Sequence, residues 1–413
     1  MPILGTRHRL HRLRLLAGLV VVALLLAACS GGSGSKASGK RASGPPIVVG
    51  LINQENAAIG SFPEVRTDAE AAVRYVNAEL DGIGGHPVRL ETCTTDGTPE
   101  SSQACANRLR QKNPVAVLGG IDLGAADSLP VLNSAHIPYV GASPSLGDEL
   151  TDSNAFMLTA GAAGDLLGQA AYLTDMLHAK RVTVLYINLP GLLSTAVEAA
   201  KSVLSKKGVT DVKLVAEKAD TPDFTPALNS IKRDNPDAIV SVFPAQGCAR
   251  IMQAAKALGV GAKLLFPGAC AARSVIDASG GGADGAYFAS AFLPYDGNDP
   301  DVATYLAKRK AYGATDPPSV LAQAGFGEVL DLRQVLAEVQ GPITPDALIA
   351  KLRTTKDQPG FMSHAFTCDH QQVLLLGAVC NANVRLLQYS GGRFNDVVGN
   401  WVSGADLIRL AIG

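Results

Sequence analysis

Residues 47–53 (IVVGLIN) form an unbroken apolar run, the pattern of a strand covered on both faces. Residues 66–80 then place Ala69, Val73, Val76 and Leu80 at helical spacing and stop at Asp81-Gly82. The alternation continues with strands predicted at 86–92, 115–118 and 138–140 and helices at 99–111 and 125–134; Pro99 suits a first helical turn. It restarts after Thr159. Helices at 163–178, 192–207, 224–233 and 249–258 interleave with strands at 181–187, 212–216, 238–243 and 263–266, and a strand at 286–292 closes the block. Strands alternating with helices predict parallel sheets covered on both faces. Two such blocks predict an α/β protein of two doubly wound parallel-sheet lobes. Beyond Pro294 the spacing predicts helices at 300–312, 320–339 and 345–352 and strands at 366–368, 373–376 and 384–389. These are too few for a third domain and return to complete the earlier lobes.

The first thirty residues follow a different pattern. Arg7, Arg9, Arg12 and Arg14 precede the uncharged apolar stretch 15–28, which is shorter than the roughly 20 residues a membrane span needs and suits a signal peptide. The stretch ends Leu26-Ala27-Ala28-Cys29 and resembles the lipobox of bacterial lipoproteins, where the cysteine is diacylated and becomes the first mature residue. An ordinary cleaved signal and an uncleaved anchor are the other readings. The expectation is a signal peptide at 1–28, lipidation of Cys29 and a Gly/Ser/Lys-rich tether at 29–46. Acyl chains would hold the protein on the outer face of the cell membrane while its lobes stay in water.

Composition narrows the function. In 413 residues, 36 basic and 37 acidic side chains nearly cancel, so no long-range field gathers phosphates and a nucleic-acid partner is not expected. Aromatic residues are only 5% with one tryptophan, too few for a broad stacking platform.

Cys29 aside, six cysteines remain, in local pairs spaced 12, 22 and 12 residues apart. An exported chain meets an oxidising space, which favours the bridges Cys93–Cys105, Cys248–Cys270 and Cys368–Cys380. The first would tie a strand to the following helix and the last would staple a hairpin. Each loop closure contributes about 3 kcal/mol in the chain-entropy model. Free buried thiols are an alternative. A metal site is not expected: no Cys-x-x-Cys occurs, and His364, Asp369 and His370, the one local cluster, suit a solvated turn.

Two motifs bear on catalysis, and neither has its required context. Gly280-Gly281-Gly282-Ala283-Asp284-Gly285 matches G-x-G-x-x-G but follows a helix-like stretch and precedes a strand, the reverse of a dinucleotide site. Gly141-Ala142-Ser143-Pro144-Ser145 lacks the second glycine of a nucleophile elbow. No enzyme activity and no cofactor are expected.

The opening IVVGLINQENAAIGSFPEVRTDAEAAVRYVNAELDGIGGHPVRLET resembles the leucine/isoleucine/valine-binding proteins, as do NPVAVLGG, HIPYVGASPS, RVTVLYIN, TPDFTPALNSIKRDNPDAIV and IMQAAKALGV. These are type I periplasmic binding proteins that serve ABC importers, and the likeness runs over residues 47–394. It implies two lobes joined by three crossover segments, lobe 1 from 47–158 with 290–382 and lobe 2 from 159–289 with 383–413. The crossings fall near 156–159, 289–292 and 381–386. It also implies a small-molecule solute captured in the interlobe cleft by hinge closure and passed to a membrane permease. A surface receptor without a permease is the alternative.

Such clefts lie outside the carboxyl ends of parallel strands. The candidate solute contacts are therefore Asn53, Gln54, Phe62, Asp122, Leu123, Ala142 and Ser143 from lobe 1, and Asn188, Leu189, Gln246 and Ala269 from lobe 2. Gly124 and Gly247 offer helix N-terminal N–H groups. Any polar member of this set could instead cap a turn; for Asp122 that alternative is the helix after it. In the amino-acid binders a Ser/Thr-rich turn holds the α-carboxylate, and tyrosines with an acid hold the ammonium. Here residues 121–126 (IDLGAA) carry no hydroxyl, and 189–191, 243–245 and 267–270 carry neither tyrosine nor acid. Only Ser143 keeps a hydroxyl. The departures predict an uncharged or weakly polar solute in place of a leucine-like zwitterion.

Overall fold

The computed structural model describes residues 42–412 apart from 56, 58, 146 and 189–193. The signal segment, Cys29 and most of the tether, and also Leu189, lie outside the described residues. The chain opens with β1 (Ile47–Gln54), α1 (Pro63–Glu79), β2 (Val88–Thr95), α2 (Pro99–Arg110), β3 (Val117–Gly119) and α3 (Ala125–Ser134). Then come β4 (Tyr139–Gly141), the short α4 (Gly147–Thr151) and β5 (Ala155–Met157). These strands form one all-parallel sheet in the order β2-β1-β3-β4-β5. The apolar run at 47–53 becomes its second strand, buried at every position but Val48.

The next block runs α5 (Gly161–Asp175), β6 (Arg181–Ile187), α6 (Ser194–Lys206), β7 (Asp211–Glu217), α7 (Thr225–Asp234) and β8 (Ala238–Val242). It continues with α8 (Ala245–Leu258), β9 (Lys263–Phe266), a 3₁₀ turn at Gly268–Cys270, α9 (Arg273–Ala278) and β10 (Tyr287–Ser290). After α10 (Pro300–Ala311), α11 (Val320–Ala337) and α12 (Pro345–Thr354), the chain returns as β11 (Asn383–Ser390), β12 (Arg393–Asp396), β13 (Val402–Ser403) and α13 (Gly404–Ile412). The second sheet has the order β12-β11-β10-β9-β8-β6-β7, with β13 beside β11; β6 to β10 are mutually parallel and β11 runs against β10. The result is an α/β fold of two lobes, each built on a parallel sheet.

Elements distant in sequence complete the first lobe. Helix α11 lies along α1 so closely that a Cβ on Gly325 would sit 2.1 Å from the Val65 carbonyl oxygen. Helix α10 is fastened to α1 by a buried bidentate pair, Arg309 Nε and Nη2 to the Asp68 carboxylate at 2.7 and 2.9 Å. The helices begin where their caps dictate: Thr98, Asp299, Ser319 and Thr344 each accept a backbone N–H from the first turn.

The structure corrects the sequence-based reading in several places. The predicted strands at 366–368 and 373–376 are absent. Phe366 makes only an isolated bridge with Gln358, and 373–376 is a turn in which Leu376 N–H donates to Val373 O. The Cys368–Cys380 bridge therefore closes a loop, not a hairpin. Ala378 and Cys380 bond to Leu150 and Met157, which takes the returning backbone to β5 and leaves 373–376 without an extended partner. The sequence pattern also missed α4, β12 and β13, whose apolar residues are too few to show a period, and it missed the amphipathic α13. All three expected bridges form, with Cα–Cα distances of 5.5, 6.2 and 4.4 Å in chain order.

Candidate functional site

A cavity of about 150 Å³ opens between the lobes, at the carboxyl ends of the strands. Phe62, Ile121, Leu123 and Ala142 line it from the first lobe, and Ile187, Val242, Phe243, Pro267 and Ala269 from the second. Phe62, Ile121 and Leu321 pack together with Val65, and Ala269 closes against them from the other side. The walls are mainly aliphatic and aromatic. No Lys, Arg or His belongs to the lining among the described residues.

The rim is held by buried amides that do not themselves line the cavity. Asn53 Nδ2 donates to the Phe62 carbonyl at 2.8 Å, and its Oδ1 accepts Ile121 N–H at 3.2 Å. Gln54 Nε2 donates to Gly60 O at 2.9 Å and its Oε1 accepts Leu123 N–H at 3.2 Å. Both side chains are fully buried, so the two lips of the first lobe share one polar frame. Asp122 is also fully buried. Its Oδ1 accepts from Ser102 Oγ (2.6 Å), Thr95 Oγ1 (3.1 Å) and Gly124 N–H (3.2 Å), tying β2, α2 and the start of α3 together. Burial pushes its carboxyl above the ordinary value.

Of the sequence-selected residues, the structure thus brings Phe62, Leu123, Ala142, Ser143 and Ala269 to the cavity, with Asn53, Gln54 and Asp122 behind it. Asn188 is exposed, its N–H bonded to Glu217 O, and lies off the cavity. Gln246 is exposed and borders a separate groove at the cleft mouth with Ile59, Asp220 and Arg250. Gly124 and Gly247 do not line the cavity. His364 and His370 sit apart, one edge-on to Trp401 and the other to Phe156. Among the described residues no group of three or more His, Cys, Asp or Glu is placed to hold a metal.

The Cys248–Cys270 bridge joins the first turn of α8 to the 3₁₀ turn, with both sulfurs fully buried. It fixes the loops carrying Pro244 and Ala269, two neighbouring parts of the second-lobe wall. Preformed walls lower the ordering cost of binding.

Sequence reasoning missed the polar side of the cavity. Ser145, Thr159 and Asp165 join Ser143 in the lining. Thr159 is committed: its hydroxyl donates to Ala142 O at 2.8 Å and accepts Gly161 N–H at 3.1 Å, bracing the passage from the first sheet into α5. Asp165 lies in the second turn of α5, 7% exposed, and accepts Gly268 N–H through Oδ2 at 2.8 Å. Burial pushes its carboxyl up to about 7, and the Gly268 N–H opposes that only in part. The acid expected to be missing near Gly268-Ala269 is therefore present, supplied by a helix and not by a strand-end loop. One signal could have found it: Asp165 is the lone charge in the apolar stretch 155–174.

Solved structures share this architecture. A leucine-binding protein of Thermotoga maritima aligns at TM-score 0.71 and 17% identity, covering 87% of this chain and 99% of its own. A solute-binding protein of an ABC transporter from R. palustris, in complex with 4-hydroxybenzoate, aligns at 0.72 and 18%, covering 87% and 96%. A fatty acid ABC transporter substrate-binding protein from Thermomonospora curvata aligns at 0.76 and 12%, covering 90% and 96%. No curated protein sequence matches the chain. The periplasmic binding protein family matches residues 46–390, which include every residue of the interlobe cavity, and the chain belongs to that family.

Proposed function

We propose that this protein is an exported solute-binding lipoprotein, anchored through Cys29, that closes its lobes on a small, largely apolar solute and delivers it to the permease of an ABC importer. The lobes comprise 47–158 with 290–382 and 159–289 with 383–413. Phe62, Leu123, Ala142, Ser143 and Ala269 are its solute contacts, and Asn53 and Gln54 position the rim. The observation that carries this reading is the apolar cavity between the lobes, lined on both sides and, among the described residues, without a cationic side chain. The family match and the three solute-binding neighbours support the role. The solute is not a standard aliphatic amino acid. A buried carboxylate without partners costs several kcal/mol, and each 1.4 kcal/mol is about tenfold in affinity. The turn 121–126, free of hydroxyls, offers a carboxylate no side-chain donor.

A thermal-shift screen tests the proposal. Compact aromatic and aliphatic solutes should raise the melting temperature with concentration, as binding to the folded state requires. Sub-micromolar stabilisation by leucine, isoleucine or valine would overturn the assignment of solute class.

A further inference from the structure

Among the described residues, Asp165 is the single ionisable residue lining the cavity. Its place is set by two close approaches. Gly268 N–H holds Oδ2, and a Cβ on Gly268 would fall 2.8 Å from Ala289 O and 3.3 Å from that same Oδ2. Glycine here lets the loop descend onto the carboxylate, and the Cys248–Cys270 bridge keeps it there. Gly268 N–H is the one hydrogen bond Asp165 makes among the described residues.

We propose that Asp165 selects a solute with a compact apolar body and one protonated amine, bearing no carboxylate. The proposal rests on the cavity being the solute site. A solute anion would face Asp165 in an apolar enclosure with no basic partner, and an alcohol would leave the buried charge uncompensated. An ammonium supplies both the charge and the donors that a buried carboxylate lacks.

Most ionisable groups on the surrounding elements are engaged elsewhere. On β10, Tyr287 faces Tyr172; on β11, Arg385 pairs with Asp396 and stacks on Trp401. Asp331 of α11 accepts the Phe361 N–H, and burial holds Glu328, whose Oε1 has no partner among the described residues, well above the ordinary carboxyl value. Glu198 of α6 pairs with Lys201, Lys206 donates to Leu410 O, and Asp406 of α13 pairs with Arg409. Burial, opposed in part by the Gly268 N–H, pushes the Asp165 carboxyl up to about 7. Amine binding takes the ionised form, so affinity should fall as pH drops below that value.

Calorimetry on the full chain with benzylamine, benzyl alcohol and benzoate tests this, since an apolar cavity of about 150 Å³ can accept a benzene ring. Benzylamine should bind tightest at about pH 8.5 and roughly thirtyfold more weakly at about pH 5.5, while benzyl alcohol should bind weakly at about pH 8.5 and lose no affinity as pH falls. Asp165→Asn keeps an oxygen for Gly268 N–H. It should abolish the preference for benzylamine over benzyl alcohol, with far-ultraviolet circular dichroism reporting that the variant is folded. Benzoate or benzyl alcohol binding as tightly as benzylamine, or an Asn variant that retains the preference, would overturn the role of Asp165 and leave the solute-binding function standing. If neither these probes nor any solute in the thermal-shift screen bound, the solute-binding function itself would fall, and this inference with it.

Discussion

The burial of Asp165 predicts that stability, as well as the proposed binding, depends on pH. A free aspartate ionises near 4, whereas burial holds this one near 7. Between those values the folded chain keeps a proton that the unfolded chain has released. Its contribution to stability is therefore full below about pH 4, declines as pH rises toward 7, and is flat above. Asparagine at 165 has no such titration. The unfolding free energy of Asp165→Asn minus that of the parent should rise by about 4 kcal/mol from pH 4 to pH 8, measured by urea unfolding. Parallel pH profiles would show that burial does not govern this group. Cys248 and Cys270 act on the same wall by constraint. Replacing both with alanine should cost about 2–4 kcal/mol of unfolding free energy and weaken solute binding, because the loops at 244 and 269 must then be ordered on capture.

Helices and strands formed where apolar period, caps and prolines agreed. The apolar run 47–53 and the helical spacing of Ala69, Val73 and Val76 became β1 and α1, although α1 starts earlier, at Pro63. The agreement failed at 373–376, where a bridge and the bonds to β5 claimed the backbone before any strand partner could. Packing between helices was beyond the pattern altogether. Nothing in the sequence around Gly325 shows that its Cα faces the Val65 carbonyl across α1. Gly325→Ala should push α11 off α1 and cost about 1–3 kcal/mol, read from the midpoint of chemical unfolding. An unchanged midpoint would mean the two helices can separate without loss.

For the whole molecule, the proposed lipid on Cys29 would decide where the lobes act. If Cys29 carries the lipid, Cys29→Ala should move the protein from the membrane fraction to the soluble or unprocessed fraction, with solute binding unchanged. Mass spectrometry finding an unmodified mature terminus elsewhere would sink the anchor. The sequence by itself determined the α/β alternation, the two blocks, the three cysteine pairings and the apolar character of the cleft loops, because each is written in local spacing and residue type. Tertiary structure alone decided which polar groups meet the solute space. Asn53, Gln54 and Asp122 follow strand ends as candidate contacts should, yet their side chains bond backward into the rim, since a buried amide or carboxylate beside unpaired N–H groups must satisfy them first. Asp165 sits inside an apolar helix, and the N–H that holds its carboxylate comes from Gly268, over a hundred residues later. Partners that far apart in the chain leave no period and no spacing to read, so only folding brings them together.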